Sequence, residues 1–336
     1  MAIRVAINGF GRIGRLCLRA LEEGIAPDIE IIAINDLGPV DSNAHLLKYD
    51  SVHGVLATDV SSTDSNLIVG GKSIPFFNEA DPSKLPWADM DIDIVFECTG
   101  IFKARDEAHA HIEAGAKKVL ISAPGKDVDL SLVYGVNHQR LTHEHKIVSN
   151  ASCTTNCLAP VADVLNRAIG INKGYMTTVH AYTGGQRMVD MLHKDMRRAR
   201  AGAVSMIPTS TGAAKAVGLV LPELAGKLDG CAIRVPTPNV SMIDLTFDAA
   251  RDTSVEEINT LMTKAAEGPM KGVLGVYDAP LVSVDFNHNP HSSCFDLTQT
   301  NVIGGNLVRV LAWYDNEWGF SCRMLDSARA MAKTGL

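Results

Sequence analysis

The chain has 336 residues, a length that calls for two domains of ordinary size and excludes a single small core. Its 46% hydrophobic and 21% charged residues are a globular mix, which excludes a mainly disordered chain. Against 31 Lys and Arg stand 38 Asp and Glu, so the formal charge of −7 excludes a global attraction for nucleic acid or an anionic membrane, though local basic clusters still suit small anions. Seven cysteines, at positions 17, 98, 153, 157, 231, 294 and 322, are odd in number and widely spread. That pattern reads as reduced thiols, not a disulfide framework. Met1-Ala2-Ile3-Arg4 runs directly into a strand pattern with no signal-peptide core, and no apolar run approaches the roughly 18–20 residues of a membrane span. A cytoplasmic protein with no membrane or nucleic-acid partner and no metal is expected.

In chain order, Ile3–Asn8 reads as a buried strand, Gly9–Gly14 as a turn and Arg15–Glu23 as a helix. Ile29–Asn35 is a second apolar strand, and Ile92–Cys98, Lys118–Ser122 and Lys146–Ser149 read as later ones, with a helix over Asp106–Ala114. Strands of this kind alternating with helices predict a parallel sheet covered on both faces. Beyond residue 151 the pattern changes. Helices are predicted over Thr155–Ala168, Gly212–Leu219, Val255–Ala266 and Gly319–Lys333, and long β-rich runs over Val240–Ala249 and Asn306–Tyr314. These runs suit an antiparallel or mixed sheet. The fold class is therefore α/β: a Rossmann dinucleotide-binding domain, then an α+β domain with a mostly antiparallel sheet.

The turn Gly9-Phe10-Gly11-Arg12-Ile13-Gly14 carries G-x-G-x-x-G between an apolar strand and a helix. Gly9 permits the tight turn, Gly11 lets a pyrophosphate approach the backbone, and Gly14 lets helix and strand pack closely. The helix N-terminus adds free N–H groups and partial positive charge for phosphate. Asp36 ends the second strand, 22 residues after Gly14, where a carboxylate accepts from ribose hydroxyls and repels the extra phosphate of NADP. NAD is the expected cofactor.

Ser149-Asn150-Ala151-Ser152-Cys153-Thr154-Thr155-Asn156-Cys157 is the densest polar segment. It places Cys153 near the N-terminus of a helix, whose positive end is expected to lower the thiol pKa and favour a nucleophilic thiolate. A buried structural cysteine is the alternative reading. His180, at the end of a strand in Thr177-Thr178-Val179-His180-Ala181-Tyr182, is the candidate base, although spacing alone does not bring it to Cys153. Cys157, four residues after Cys153, reads as structural, or as a partner in oxidation at most.

NGFGRIG, NASCTTNCLAP, TTVHAYTG, HKDMRRARA, IPTSTGAAKAVG, RVPTPNVSMIDL and YDNEWG, spanning Asn8 to Gly319 in that order, together resemble the glyceraldehyde-3-phosphate dehydrogenase family of the phosphorylating, classical type. The resemblance implies an NAD-binding domain over 1–151, a catalytic domain over 152–316, and a C-terminal segment, 317–336, whose helix returns to the first domain. It implies a homotetramer, with Cys153 as nucleophile and His180 as its activator. The implied reaction oxidises glyceraldehyde 3-phosphate through a thiohemiacetal and a thioester, which inorganic phosphate then releases as 1,3-bisphosphoglycerate, a step of glycolysis and gluconeogenesis. By motif match, Ser152, Thr154, Thr183, Arg198, Thr211, Gly212 and Arg234 carry over as groups for the two anions, whereas Arg197 and Arg200 also read as a solvated basic face. Gly9, Gly11, Arg12, Ile13, Gly14, Asp36, Ser122 and Asn316 carry over to NAD.

The chain departs from the family pattern at three places: Gly185 replaces an acidic residue, Met191-Leu192 replaces Leu-Pro, and Ala80 replaces an Arg. The first two lie in the loop that the resemblance places near a neighbouring subunit's cofactor. Erythrose-4-phosphate dehydrogenase is the nearest rival, but it typically lacks the Ser210–Lys215 run and the HAYTG sequence found here. A binding or redox-sensor role is the rival from another class; Cys153, His180 and Arg234 are all retained against it.

Overall fold

A computed structural model describes residues 2–336. The chain divides into two compact units, one formed by residues 1–152 together with 320–336, the other by Cys153–Gly319. No helix among the described residues is long and apolar enough to cross a membrane, and no disulfide links the cysteines.

The first unit is built on a nine-stranded sheet. Its order runs Leu130–Ser131, Ile147–Ser149, Lys118–Ile121, Ile94–Glu97, Ile3–Asn8, Ile29–Asn35 and Lys72–Phe77, all parallel, then Asn66–Val69 and Val60–Ser62, antiparallel. The central parallel strands are mainly apolar because both faces are covered: Val5, Ile7, Ile94, Val95 and Leu120 are all fully buried. The Ile3–Asn8 strand lies between Ile29–Asn35 and Ile94–Glu97. The chain order reverses there, so the carboxyl ends of these strands form a crevice suited to a dinucleotide. The predicted Arg15–Glu23 helix begins earlier, at Arg12, because Gly11 is already extended as its N-cap. A helix over Val40–Lys48 and the edge strands over residues 60–69 were not legible as elements in the sequence; both are short, and they mix exposed with buried residues.

Within this unit the C-terminal helical segment is anchored by polar contacts. Lys118 Nζ donates to Met331 O (3.1 Å) and Thr334 Oγ1 (2.9 Å), at the end of a helix where carbonyls lack intrahelical partners. Ser327 Oγ donates to Asn150 Oδ1 at 2.7 Å, and Arg329 pairs with Asp28.

The second unit carries an eight-stranded mixed sheet, ordered Ile207–Ser210, Leu228–Val235, Ile171–Ala181, Ser241–Ala249, Leu307–Tyr314, Ser293–Asp296 and Leu274–Tyr277, with Asn301–Ile303 on the Leu307–Tyr314 strand. Two pairings are parallel and the rest antiparallel. Ser241–Ala249 alternates buried and half-buried residues, with Ile243, Leu245 and Phe247 turned inward. The helix Cys153–Ile169 packs on this sheet and is buried over nearly all of Thr154–Ala162. It begins at Cys153, two residues ahead of the predicted Thr155.

Candidate active site

The crevice of the first unit is a cavity of about 290 Å³ lined by Asn8, Gly9, Gly11, Asn35, Asp36, Thr99 and their neighbours. Gly9 has a φ of +92°, and a Cβ there would lie 2.6 Å from Thr99 N; a Cβ on Gly14 would lie 2.3 Å from Gly9 O. Both positions therefore demand glycine. Gly11 differs: a Cβ there meets nothing within 4 Å, so it would project into open space at the head of the helix. The N-cap, Gly11, makes no side-chain cap on that helix, and a helix N-terminus suits an anion. Ile13 and Gly14 belong to this first turn, Ile13 half-buried and Gly14 buried. Arg12 Nη1 donates to Asp50 Oδ2 at 2.5 Å. The Asp36 carboxylate accepts from the N–H groups of Phe10 and Gly38, both at 2.8 Å, which orients it at the crevice edge. Ser122 follows the Lys118–Ile121 strand and donates its N–H to Glu97 O at 3.0 Å. Glycine cradle, helix N-terminus and oriented carboxylate together fit a dinucleotide.

In the second unit, Cys153 is the first residue of its helix and His180 the penultimate residue of the Ile171–Ala181 strand. Cys153 Sγ lies 3.5 Å from His180 Nε2. His180 Nδ1 lies 2.7 Å from both Ala181 O, which calls for a proton on Nδ1, and Arg234 Nη1, which calls for a lone pair there, so these two contacts compete for the same ring nitrogen while Nε2 faces the sulfur. Arg234 is the register neighbour of His180 on the adjacent parallel strand. Its Nη1 donates to Ala181 O at 3.0 Å and stands 2.7 Å from His180 Nδ1. Arg234 Nε is buried with no hydrogen-bond partner, a donor left over for an anion.

The electrostatics correct one expectation. Burial pushes the Cys153 thiol above its ordinary value, and Arg234 and Thr154 pull it only part of the way back. The helix-terminus argument alone pointed downward; desolvation of the sulfur outweighs it. Burial, aided by the Arg234 and Arg198 charges, pushes His180 down to about 3. The resting pair is thus a neutral thiol facing a neutral imidazole. The unfolded chain binds a proton at His180 below about 6.5 that the folded unit refuses until about 3. Stability therefore falls as pH drops through that window. His180→Asn should lose less stability between pH 6.5 and 4 than the parent chain, by about 3 kcal/mol in urea unfolding. Equal losses in both would show that His180 is not held neutral by the fold.

Around this pair the sheet supplies further groups. Thr154 Oγ1 and Thr178 Oγ1 lie 2.8 and 2.9 Å from the buried Tyr314 hydroxyl, whose ring meets His180 edge-on with centroids 5.9 Å apart. Ser241 Oγ accepts from Ala181 N–H (3.0 Å) and donates to Asn316 Oδ1 (2.7 Å), which orients the Asn316 amide. Sequence reasoning missed Tyr314, Thr178 and Ser241; Tyr314 stands in the YDNEWG run and Ser241 in RVPTPNVSMIDL, but neither run says what its side chain touches.

Arg198 is half-buried, its Nε donating to Thr209 Oγ1 at 3.0 Å, while Arg197 and Arg200 are exposed and Arg200 pairs with Asp190. Thr211 Oγ1 accepts from Ala213 N–H at 3.2 Å, just ahead of the helix whose N-cap is Gly212, and the Thr155 hydroxyl stands 3.5 Å from Ala213 O. Thr183 follows His180 in a loop and donates its N–H to Gln186 Oε1 at 3.2 Å. Ser152 directly precedes Cys153 in the chain. Cys157 is fully buried, its Sγ donating to Ser293 Oγ at 3.5 Å.

Two family models match the chain: the glyceraldehyde 3-phosphate dehydrogenase NAD binding domain over residues 3–105, and the C-terminal domain of the same family over residues 152–316. Among curated proteins, a glyceraldehyde-3-phosphate dehydrogenase of Xanthobacter flavus is 63% identical over 335 residues, covering all of both chains. Those of Cereibacter sphaeroides and Geobacillus stearothermophilus are 61% and 54% identical, over 99% and 100% of both chains.

Proposed function

The chain belongs to the glyceraldehyde-3-phosphate dehydrogenase family, and from that premise we propose that Cys153 is its nucleophile and His180 the base that activates it. It is an NAD-dependent enzyme that takes glyceraldehyde 3-phosphate as substrate. The observation that carries the assignment of roles is the 3.5 Å approach of Cys153 Sγ to His180 Nε2.

Because the resting pair is neutral, the thiol proton passes to Nε2 as Sγ attacks the aldehyde carbon, and Nε2 hands it on to the carbonyl oxygen, giving a thiohemiacetal. Arg234, against Ala181 O and the imidazole, holds the ring in place. His180 then accepts the hydroxyl proton as the thiohemiacetal collapses. NAD, when bound, takes the hydride. A thioester on Cys153 remains. A phosphate oxygen attacks its carbon, the C–S bond breaks, 1,3-bisphosphoglycerate leaves, and the proton held on His180 Nε2 returns to the sulfur as the thiol.

Two anions need separate donors. Arg234, with its unpartnered Nε–H, and Arg198, held by Thr209, supply guanidinium forks. Ser152, Thr154, Thr183, Thr211 and Gly212 supply hydroxyls and an N–H. Gly9, Gly11, Arg12, Ile13, Gly14, Asp36 and Ser122 hold the dinucleotide, and Asn316, oriented by Ser241, holds the nicotinamide amide. A homotetramer is supported by the apolar loop beyond His180, where Leu192 is 95% and Met196 86% exposed beside exposed Met188, Val204 and Met206. The enzyme serves glycolysis and gluconeogenesis in the cytoplasm.

The test is NADH formation from NAD and glyceraldehyde 3-phosphate with and without inorganic phosphate. Sustained turnover only with phosphate is the expected result. Sustained turnover without it would replace phosphorolysis by hydrolysis, and preference for erythrose 4-phosphate would move the chain to the rival dehydrogenase.

A further inference from the structure

Beneath the dinucleotide crevice lies a buried polar cluster that the reaction itself does not use. Glu97 is 1% exposed, and every group around its carboxylate is a donor. Oε2 accepts from Asn8 Nδ2 at 2.6 Å and lies 3.0 Å from His111 Nε2. Oε1 accepts from Thr99 N–H at 2.8 Å and from the Thr99 hydroxyl. The fully buried Trp87 indole settles the histidine tautomer. An indole N–H only donates, and it reaches His111 Nδ1 at 3.1 Å, so the imidazole proton sits on Nε2 and points at Glu97. Four donors on two oxygens require an acceptor-only carboxylate; an amide would set N–H against N–H on one side.

The cluster continues into the crevice. Asn8 is the register neighbour of both Asn35 and Glu97, so the three residues end three adjacent parallel strands. With Nδ2 committed to Glu97, Asn8 Oδ1 is left to accept from Asn35 Nδ2 at 2.7 Å. Asn35 also donates to Glu79 O (2.9 Å) and accepts from Glu79 N–H (2.9 Å). Asn8, Asn35, Glu79 and Thr99 all line the cavity, and Thr99 N is the atom that crowds Gly9.

We propose that Glu97 is a positioning residue for the dinucleotide, setting the Asn8 amide and the Thr99 backbone on either side of Gly9 through a carboxylate that Trp87 and His111 hold from below. Glu97 does not touch the cofactor; it fixes the spacing of the strand ends that do. This rests on the reading of the Gly9–Gly14 turn as the dinucleotide site.

The test compares full-length Glu97→Gln, Trp87→Phe and Gly11→Val with the parent chain. It uses NAD titration calorimetry, steady-state kinetics and the ¹⁵N shifts of His111. For Glu97→Gln, the NAD Kd and KM should both rise about tenfold, the effect of one lost buried hydrogen bond, while kcat at saturating NAD stays within about twofold. The His111 shifts should keep the Nε2–H form in this variant, because Trp87 still donates to Nδ1, and lose it in Trp87→Phe. Trp87→Phe keeps the carboxylate but frees the tautomer. It should raise the NAD KM about threefold with kcat held, and it decides the matter if Glu97→Gln does not fold. A folded Glu97→Gln with parental NAD affinity, or a fall in kcat without a change in KM, overturns the proposal, as does parental NAD affinity in Trp87→Phe with Glu97→Gln unfolded. Gly11→Val separates the two readings: its side chain enters open space, so the fold stands and NAD binding is lost. If Gly11→Val binds NAD normally, the assignment of the site fails; if it loses NAD while Glu97→Gln does not, only the role of Glu97 fails.

Discussion

Cys153→Ser should lower turnover at least about 10⁴-fold, some 5.5 kcal/mol of transition-state stabilisation, with NAD affinity nearly unchanged. A serine hydroxyl occupies the same first turn of the helix, but it is a far weaker acid than a thiol. Its proton is therefore several pK units harder for the imidazole to remove than that of the thiol, and an alkoxide is the poorer nucleophile and leaving group here. The separation of effects follows from placement: Cys153 heads the second unit, whereas the glycine turn and Asp36 belong to the first. Calorimetric titration with NAD alongside a turnover assay checks this. Parallel loss of binding and turnover would contradict the division of roles.

His180→Asn should reduce kcat about 10²–10³-fold and slow alkylation of Cys153 near neutral pH. The thiol is raised by burial, so little thiolate exists at pH 7 without a proton acceptor 3.5 Å away. Asparagine offers no basic nitrogen. Raising the pH should recover much of the alkylation rate, because hydroxide then deprotonates the sulfur directly, whereas kcat should recover less, because the later hydroxyl proton still has no acceptor. A rate of iodoacetamide alkylation at pH 7 equal to that of the parent chain would remove His180 as the activator.

The Arg234 environment links these two expectations. Its guanidinium lowers both the thiol and the imidazole, and burial lowers its own pKa as well. It thus keeps His180 neutral, the form in which Nε2 accepts a proton. The same cation, with an Nε–H that has no acceptor, suits an anion beside the sulfur.

What was legible in the sequence is what local chemistry dictates. Gly9 and Gly14 announce a backbone that admits no side chain, and the structure holds them at a positive φ and against a carbonyl. Apolar runs such as IRVAIN and IEIIAIN announce strands buried on both faces, and they pair in parallel. Cys153 between a strand and an apolar helical run announces a residue at a helix start, and the helix begins on it. Each inference needs only a few neighbouring residues and a steric or hydrophobic rule. The placing of His180 against Cys153 is different, because it depends on how a strand 27 residues on packs against the helix, which no spacing encodes. The register that sets Arg234 opposite His180, the Tyr314 hydroxyl between two threonines, and the four donors converging on Glu97 are likewise products of sheet assembly. The direction of the Cys153 shift was decided there too. A helix terminus is a local feature and favours the thiolate, but desolvation is set by everything packed around the sulfur, and at this position the larger, non-local effect prevails.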